Sequence, residues 1–273
     1  MNISILGCGW LGFPLARHLI AQSHSVKGST TSPEKLEMLR KNDIRPFLIK
    51  LSPELKNADG VHEFWNADVL VLNIPPGRRR ENVLGFHTAQ IRSISKAIAD
   101  SPIELVIFVS STSVYPNKPG VVIESDAVPG KAGRESGNAL LEAEHILSQN
   151  TSFETTVIRF GGLIGYDRHP VKYLAGKKEL ERGKAPVNLI HRDDCIKIIT
   201  QIINDNITGE VFNAVSDDHS TRKQYYSEAA KTLGLEPPKF RKDESSSYKI
   251  VSNEKLKLRL DYEFKKEENS ANS

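Results

Sequence analysis

The chain has 273 residues, of which 38% are hydrophobic and 26% charged, with a formal net charge of +3. This suits a soluble globular protein, and the charge is too small to mark a nucleic-acid binder. No apolar run approaches the roughly 18 residues of a membrane span, no secretory signal is visible, and two cysteines (Cys8, Cys195) make no disulfide framework. A cytoplasmic protein without membrane or nucleic-acid partners is expected.

The chain opens on a short apolar strand at 3–6 that runs into Gly7-x-Gly9-x-x-Gly12, with an apolar-patterned helix over 11–23. This spacing brings a backbone turn against a dinucleotide pyrophosphate. Gly7 allows the tight turn, Gly9 lets the backbone approach the phosphates, and Gly12 lets the helix pack close to the strand. The helix N-terminus adds unpaired N–H groups and a positive dipole end. Gly7, Gly9, Trp10, Leu11 and Gly12 are therefore the first candidate cofactor residues, against the alternative of a merely structural turn.

Further strands are expected at 25–27, 45–50, 69–73, 105–110 and 155–160, with helices near 33–41, 80–100 and 136–149. Continuously apolar strands such as Val69-Leu70-Val71-Leu72 suit a parallel sheet covered on both faces. The alternation predicts an α/β class, doubly wound parallel sheet: a Rossmann domain over 1–160. After Phe160 the pattern loosens. Two helices are expected near 170–183 and 192–204, a strand at 211–214 and a helix over 221–233. Pro237-Pro238 then leads into a polar tail. Residues 161–265 are read as a small α/β substrate lobe interleaved with the core, and 266–273 as disordered.

The second strand ends Lys27-Gly28-Ser29-Thr30-Thr31-Ser32, without the carboxylate that bonds the ribose 2′-OH of NAD. A carboxylate would repel a 2′-phosphate. Ser29, Thr30, Thr31 and Lys35 can hold one, so NADP is expected in preference to NAD. The competing reading is a turn in which Ser32 caps a helix begun by Pro33. The strand at 69–73 exits through Ile74, Pro75 and Pro76, at the sheet edge that a cofactor crosses. The basic run Arg78-Arg79-Arg80 is either a solvated loop or an anion clamp.

The fifth strand closes Phe108-Val109-Ser110-Ser111-Thr112-Ser113-Val114-Tyr115. With the amino-terminal glycines, this resembles the extended short-chain dehydrogenase/reductase superfamily, which includes NAD(P)-dependent epimerases and dehydratases of nucleotide sugars. The segments at 158–165, 187–194 and 211–215 extend the resemblance from about residue 2 to 262. It implies a Ser, a Tyr and a Lys working beside a hydride carrier, with Ser111 in the Ser position and Ser110 next to the cofactor. The Tyr-x-x-x-Lys should open the next helix. There, Gly137 and Leu141-Glu142-Ala143-Glu144 align without a gap, which puts Ser136 at the Tyr position and Leu140 at the Lys position. The chain is thus similar to the atypical members that keep the glycine motif and lack the pair. The resemblance further implies a homodimer formed through the helices at 80–100 and 136–149.

Other groups are candidates to fill the gap. Tyr166-Asp167-Arg168-His169-Pro170 is implied to line the substrate cleft. His169 titrates near neutrality and is the candidate acid or base. Arg168 and Lys172 are candidate substrate ligands, as is Asn188. Tyr115 is read as structural, Arg159 as a buried ion-pair partner, His191 as a packing residue, and Asp193 or Asp194 as capping the helix at 192–204 or neutralising its dipole end. No Cys/His cluster has metal-ligand spacing. Two functions remain open: an NAD(P)-binding enzyme of the oxidoreductase or epimerase type, acting on a small polar substrate such as a nucleotide sugar, or a non-catalytic dinucleotide-binding protein that senses redox state or serves as a scaffold.

Overall fold

The computed structural model describes residues 1–55, 60–77, 80–242 and 248–264. Arg78 and Arg79 of the basic run, and the 266–273 tail, lie outside the described residues. The first half of the chain forms β1 (Asn2–Leu6), α1 (Gly12–Ala21), β2 (Ser25–Thr30), α2 (Leu36–Arg40), β3 (Arg45–Leu48), the hairpin strands β4 (Leu51–Ser52) and β5 (Glu54–Leu55), α3 (Val61–Trp65), β6 (Val69–Leu72), α4 (Val83–Ile98), β7 (Leu105–Ser111), β8 (Gly120–Val122) and α5 (Glu135–Ser148). The rest forms β9 (Glu154–Phe160), β10 (Gly162–Ile164), α6 (Val171–Leu174), β11 (Leu189–His191), α7 (Arg192–Asn204), β12 (Val211–Ala214), α8 (Arg222–Thr232), β13 (Lys249–Val251) and α9 (Glu254–Leu260).

Seven strands make one sheet in the order β3-β2-β1-β6-β7-β9-β12, every pair parallel. The expected doubly wound architecture follows from how the strands alternate. Val69, Val71, Leu105 and Ile107 point to the face covered by α1, α7 and α9, where Leu15, Leu19, Ile199, Leu256 and Leu260 meet them. Leu70, Leu72, Val106 and Phe108 point to the other face and pack on Phe64, Ile91, Ile94 and Leu147 of α3, α4 and α5. Successive side chains alternate across a strand, so a strand covered on both faces must be apolar throughout. The strand order reverses between β1 and β6, and ligands of open α/β sheets bind in the crevice at such a switch point.

Two expectations need correcting. The helix expected near 170–183 shrinks to the four residues of α6, because Gly176, Glu179 and Arg182 all take positive φ (69°, 57° and 61°) and end any right-handed helix. The stretch after Pro238, read as a polar tail, contains β13, which pairs with β8, and α9. Leu256 and Leu260, both buried, lie one helical turn apart in α9 among lysines that mask the pattern.

A buried polar network ties the strand ends together. Arg159 of β9 pairs with Glu144 of α5 at 2.6 Å, and their side chains are only 5% and 7% exposed. Ser110 Oγ donates to Glu144 at 2.5 Å, and Arg159 Nη1 donates to the Tyr115 hydroxyl at 2.9 Å and to the Glu124 carbonyl at 2.8 Å. Burial pushes the Tyr115 phenol up, so it keeps its proton, which it donates to Asn213 at 2.6 Å. Tyr115 and Arg159 thus take the structural roles expected of them. Truncating Glu144 strands a guanidinium in the core. Glu144→Ala should lower the unfolding free energy by about 3–5 kcal/mol, read from the urea midpoint, and Arg159→Met in the same chain should restore part of that loss.

Candidate cofactor cleft and active site

A cleft of about 570 Å³ lies over the carboxyl ends of β1, β2, β6 and β7. The glycine turn forms one wall. Gly7 sits at φ +109°, a conformation that L side chains rarely adopt, and a Cβ there would overlap the Asn73 carbonyl oxygen. A Cβ on Gly12 would overlap the Gly7 carbonyl oxygen, whereas around Gly9 nothing lies within 4 Å. The turn is held from both sides. Gly7 N–H donates to Ser29 Oγ at 2.9 Å, Cys8 N–H to the Ser29 carbonyl at 2.8 Å, and Asn73 Nδ2 to the Gly7 carbonyl at 3.0 Å. Among the described residues, the N–H groups of Trp10 and Leu11 meet no acceptor. Two donors therefore point out of a rigid turn at the start of α1, beside the open face of Gly9.

At the end of β2, Ser29 is 3% exposed and its oxygen is already engaged by the turn. Thr30 Oγ1 accepts the Ser32 N–H at 3.1 Å. Ser32 makes no side-chain cap bond to the short 3₁₀ turn begun by Pro33. Thr31 and Lys35 stand exposed on the rim. Among the described residues no carboxylate lines the cleft. Ile74, Pro75 and Pro76 line it after β6, and Ser110, Ser111 and Ser113 line it after β7. Ser111 Oγ accepts the Ser113 N–H at 3.2 Å, which leaves its own proton free to donate. The Ser113 hydroxyl is buried without a partner. Ser136 and Leu140 reach the same wall from α5. Of the residues expected at the cofactor, only Gly12 is not in the lining; it sits behind the turn and lets α1 approach.

The substrate candidates separate. Arg168 lines the cleft, with its guanidinium 5.1 Å from the Trp10 ring centroid. His169 does not line it. Its ring is stacked on Tyr225 at 5.9 Å and its Nδ1 accepts the Val171 N–H at 3.3 Å, so it packs α6 on α8. Lys172 is exposed on α6, also outside the lining. Asn188 is spent on β13: its amide donates to the Lys249 carbonyl at 3.2 Å and accepts the Val251 N–H at 2.8 Å. His191 caps α7 by accepting the Asp193 N–H, while Asp193 and Asp194 sit in the first turn and take the hydroxyls of Tyr166 and Tyr262. Sequence reasoning missed Asn73, whose amide holds the turn, and Gln90, which enters the lining from α4. Asn73 was visible as the residue closing the strand at 69–73; nothing local marked Gln90. Among the described residues there is no three-residue cluster fit to hold a metal ion, and no helix is long and apolar enough to cross a membrane.

The glycines differ in what they tolerate. Gly9→Val should change stability by no more than about 0.5 kcal/mol while weakening dinucleotide binding, whereas Gly12→Val should cost about 1–3 kcal/mol or more through overpacking. Thermal unfolding and a binding titration on the same samples separate the two. For His169, burial and then the Lys172 charge hold the ring below its ordinary value. On acidification through about pH 6.5 the unfolded chain takes up a proton that folded His169 resists, so stability falls with falling pH. His169→Gln should flatten that slope between pH 7.5 and 5.5 in urea titrations and leave dinucleotide affinity unchanged.

No model of a known protein family matches the chain. Protein YeeZ of Escherichia coli K12 is 33% identical over 265 residues, covering 96% of this chain and 95% of its own. Among solved structures, MoeE5 in complex with UDP-glucuronic acid and NAD superposes with a TM-score of 0.81 at 15% identity, covering 99% of this chain and 96% of that one. The UDP-glucuronic acid 4-epimerase of Bacillus cereus, in complex with UDP-glucuronic acid and NAD, does so with a TM-score of 0.79 at 19% identity and the same coverage. A third of the sequence shared along nearly the full length of both chains, on this sheet, places the protein in the family of YeeZ, with the extended short-chain dehydrogenase/reductase fold.

Proposed function

We propose that the chain is an NAD(P)-dependent enzyme of the oxidoreductase or epimerase type, using NADP in preference to NAD and acting on a small polar molecule such as a nucleotide sugar. The observation that carries this reading is the turn at 7–12, where unpartnered N–H groups of Trp10 and Leu11 flank a Gly9 face with nothing built over it. Such a cradle suits a diphosphate. The two solved structures named above hold NAD and a UDP-sugar in their own complexes, which supports the same class of ligand here.

Thr31 and Lys35, on a rim without carboxylates, would take the 2′-phosphate. A bound nicotinamide dinucleotide supplies the hydride acceptor or donor. Ser111, its proton free, would orient the substrate oxygen at the far end of the cleft. Proton exchange needs a different source than a side chain. Burial pushes the Cys8 thiol up to about 12, and the other lining residues among those described are hydroxyls, amides, apolar groups, Lys35 and Arg168. We assign the proton to water entering from the cleft mouth. Residues 161–265 supply the substrate side through Leu163 and Arg168, and α4 and α5 offer the pairing surface of a homodimer.

Calorimetric titration with NADP(H) and NAD(H) tests the reading. NADP(H) should bind more tightly, and Lys35→Glu should weaken NADP(H) by about tenfold or more while changing NAD(H) little, as expected for one charge-assisted contact replaced by a repulsive one. Failure of both cofactors to bind overturns it. Binding without deuteride transfer between 4-deuterated NADPH and any nucleotide sugar or small carbonyl compound would instead favour the non-catalytic dinucleotide-binding protein.

A further inference from the structure

The mouth of the cleft carries an arrangement that the glycine turn does not explain. The indole of Trp10, inside the turn, donates its Nε1–H to Asp167 at 2.9 Å across 157 residues of sequence. Arg168 rests against that indole at 5.1 Å and Arg192 at 4.9 Å. Two cations thus converge on one ring, and neither makes a salt bridge among the described residues; Arg192 is engaged by Tyr166, whose ring it covers at 4.2 Å and whose hydroxyl it meets, while its Nε is buried without a partner among the described residues. The nearby carboxylates are already engaged: Asp167 by the indole, and Asp193 by the Tyr166 hydroxyl at 2.8 Å. Arg168 itself shares the cleft lining with Gly7, Gly9 and Leu11. Its backbone is fixed by a tight turn in which Gly165 and Arg168 exchange hydrogen bonds of 3.1 and 2.9 Å.

A planar guanidinium that has no carboxylate partner among the described residues, that rests on an aromatic face and that stands beside two unpaired N–H groups is arranged to receive an anion. Its fork matches two phosphate oxygens, and a weak cation–π hold is readily exchanged for charge-assisted bonds. We propose that Arg168 is the side-chain ligand of the dinucleotide's pyrophosphate, closing over it from the second half of the chain, with Trp10 as its resting place. Arg192, whose guanidinium lies over both the Trp10 and the Tyr166 rings, adds positive potential without reaching the cleft lining. This assignment moves Arg168 from the substrate to the cofactor, and it rests on the reading that the cleft holds a dinucleotide.

Trp10 provides the readout. It is one of two tryptophans, and the other, Trp65, is 3% exposed in the core. Fluorescence titrations of the full chain should be run with NADP⁺, NAD⁺ and 2′-AMP, the last of which carries the adenosine and 2′-phosphate but no pyrophosphate. Arg168→Gln should weaken both dinucleotides by roughly 10–100-fold and 2′-AMP by less than about twofold, with Arg168→Lys recovering part of the loss as a point charge without the fork. Arg168→Gln binding the dinucleotides as tightly as the wild type overturns the clasp and leaves the cofactor reading standing. Equal weakening of NADP⁺ and 2′-AMP also overturns it, since that marks a general loosening of the site. A wild-type chain that binds neither dinucleotide overturns the cofactor reading and the clasp with it.

Discussion

The close approach of β1, β6 and α1 at the glycine turn is the constraint on which the remaining geometry depends. Gly7 must pass the Asn73 carbonyl, and Gly12 must pass the Gly7 carbonyl, so neither position has room for a Cβ. Because the backbone can close that tightly, the turn sits at the switch point of the sheet with its free N–H groups facing outward. Ser29 and Asn73 then lock it from the two neighbouring strands. A looser turn would spend those N–H groups on water or on its own carbonyls, and the cleft would lose its anion cradle. Rigidity here is a matter of backbone sterics, with two side chains serving as struts.

The opposite end of the cleft is organised by the Glu144–Arg159 pair. Ser110 points its hydroxyl down into this pair, which leaves Ser111, the next residue on β7, facing the cleft side. The same pair fixes the axial position of α5, and with it the placement of Ser136 and Leu140 at the cleft wall. A buried ion pair is a costly way to hold a helix, and an apolar contact would serve stability as well. What it adds is register: Arg159 of β9 reaches Tyr115, Glu124 and Glu144, and Glu144 of α5 takes Ser110 of β7, so β7, β9 and α5 cannot slide past one another without leaving a charge unsatisfied.

Local signals carried most of the fold. Apolar runs and the glycine spacing identified the strands and the turn because both depend on neighbours within a few residues. Among the elements that escaped, β8 with β13 and β10 with β11 are three-residue strands whose partners lie far away in the chain, α9 hides two leucines among lysines, and the five-residue α3 and the two-residue strands β4 and β5 are too short to show a period. The site divided along the same line. The cleft wall along the glycine turn was legible since it is built from strand ends that follow a fixed pattern. Chemistry alone nominated His169 and Asn188, while the partners on which the structure places them, Tyr225 and the backbone of β13, are set by tertiary packing. The Trp10–Asp167 bond links positions 157 apart and leaves no trace in local sequence.

The composition of the cleft also limits what chemistry it can run. Its described lining offers hydroxyl donors at one end and cations at the mouth, and nothing between them that exchanges a proton near neutrality. Such a site is suited to binding and orienting by fixed dipoles, which act without reorganisation when charge moves in the ligand. General acid–base catalysis needs a group poised near the working pH, and on the proposed reading water at the cleft mouth fills that place. The two ends are also mechanically unequal. The hydroxyl end stands on the buried network, whereas the cationic end hangs from an indole–carboxylate bond and two ring contacts at the surface. The segment carrying Asp167 and Arg168 is further anchored there by the Gly165–Arg168 turn and by the Tyr166–Asp193 hydrogen bond.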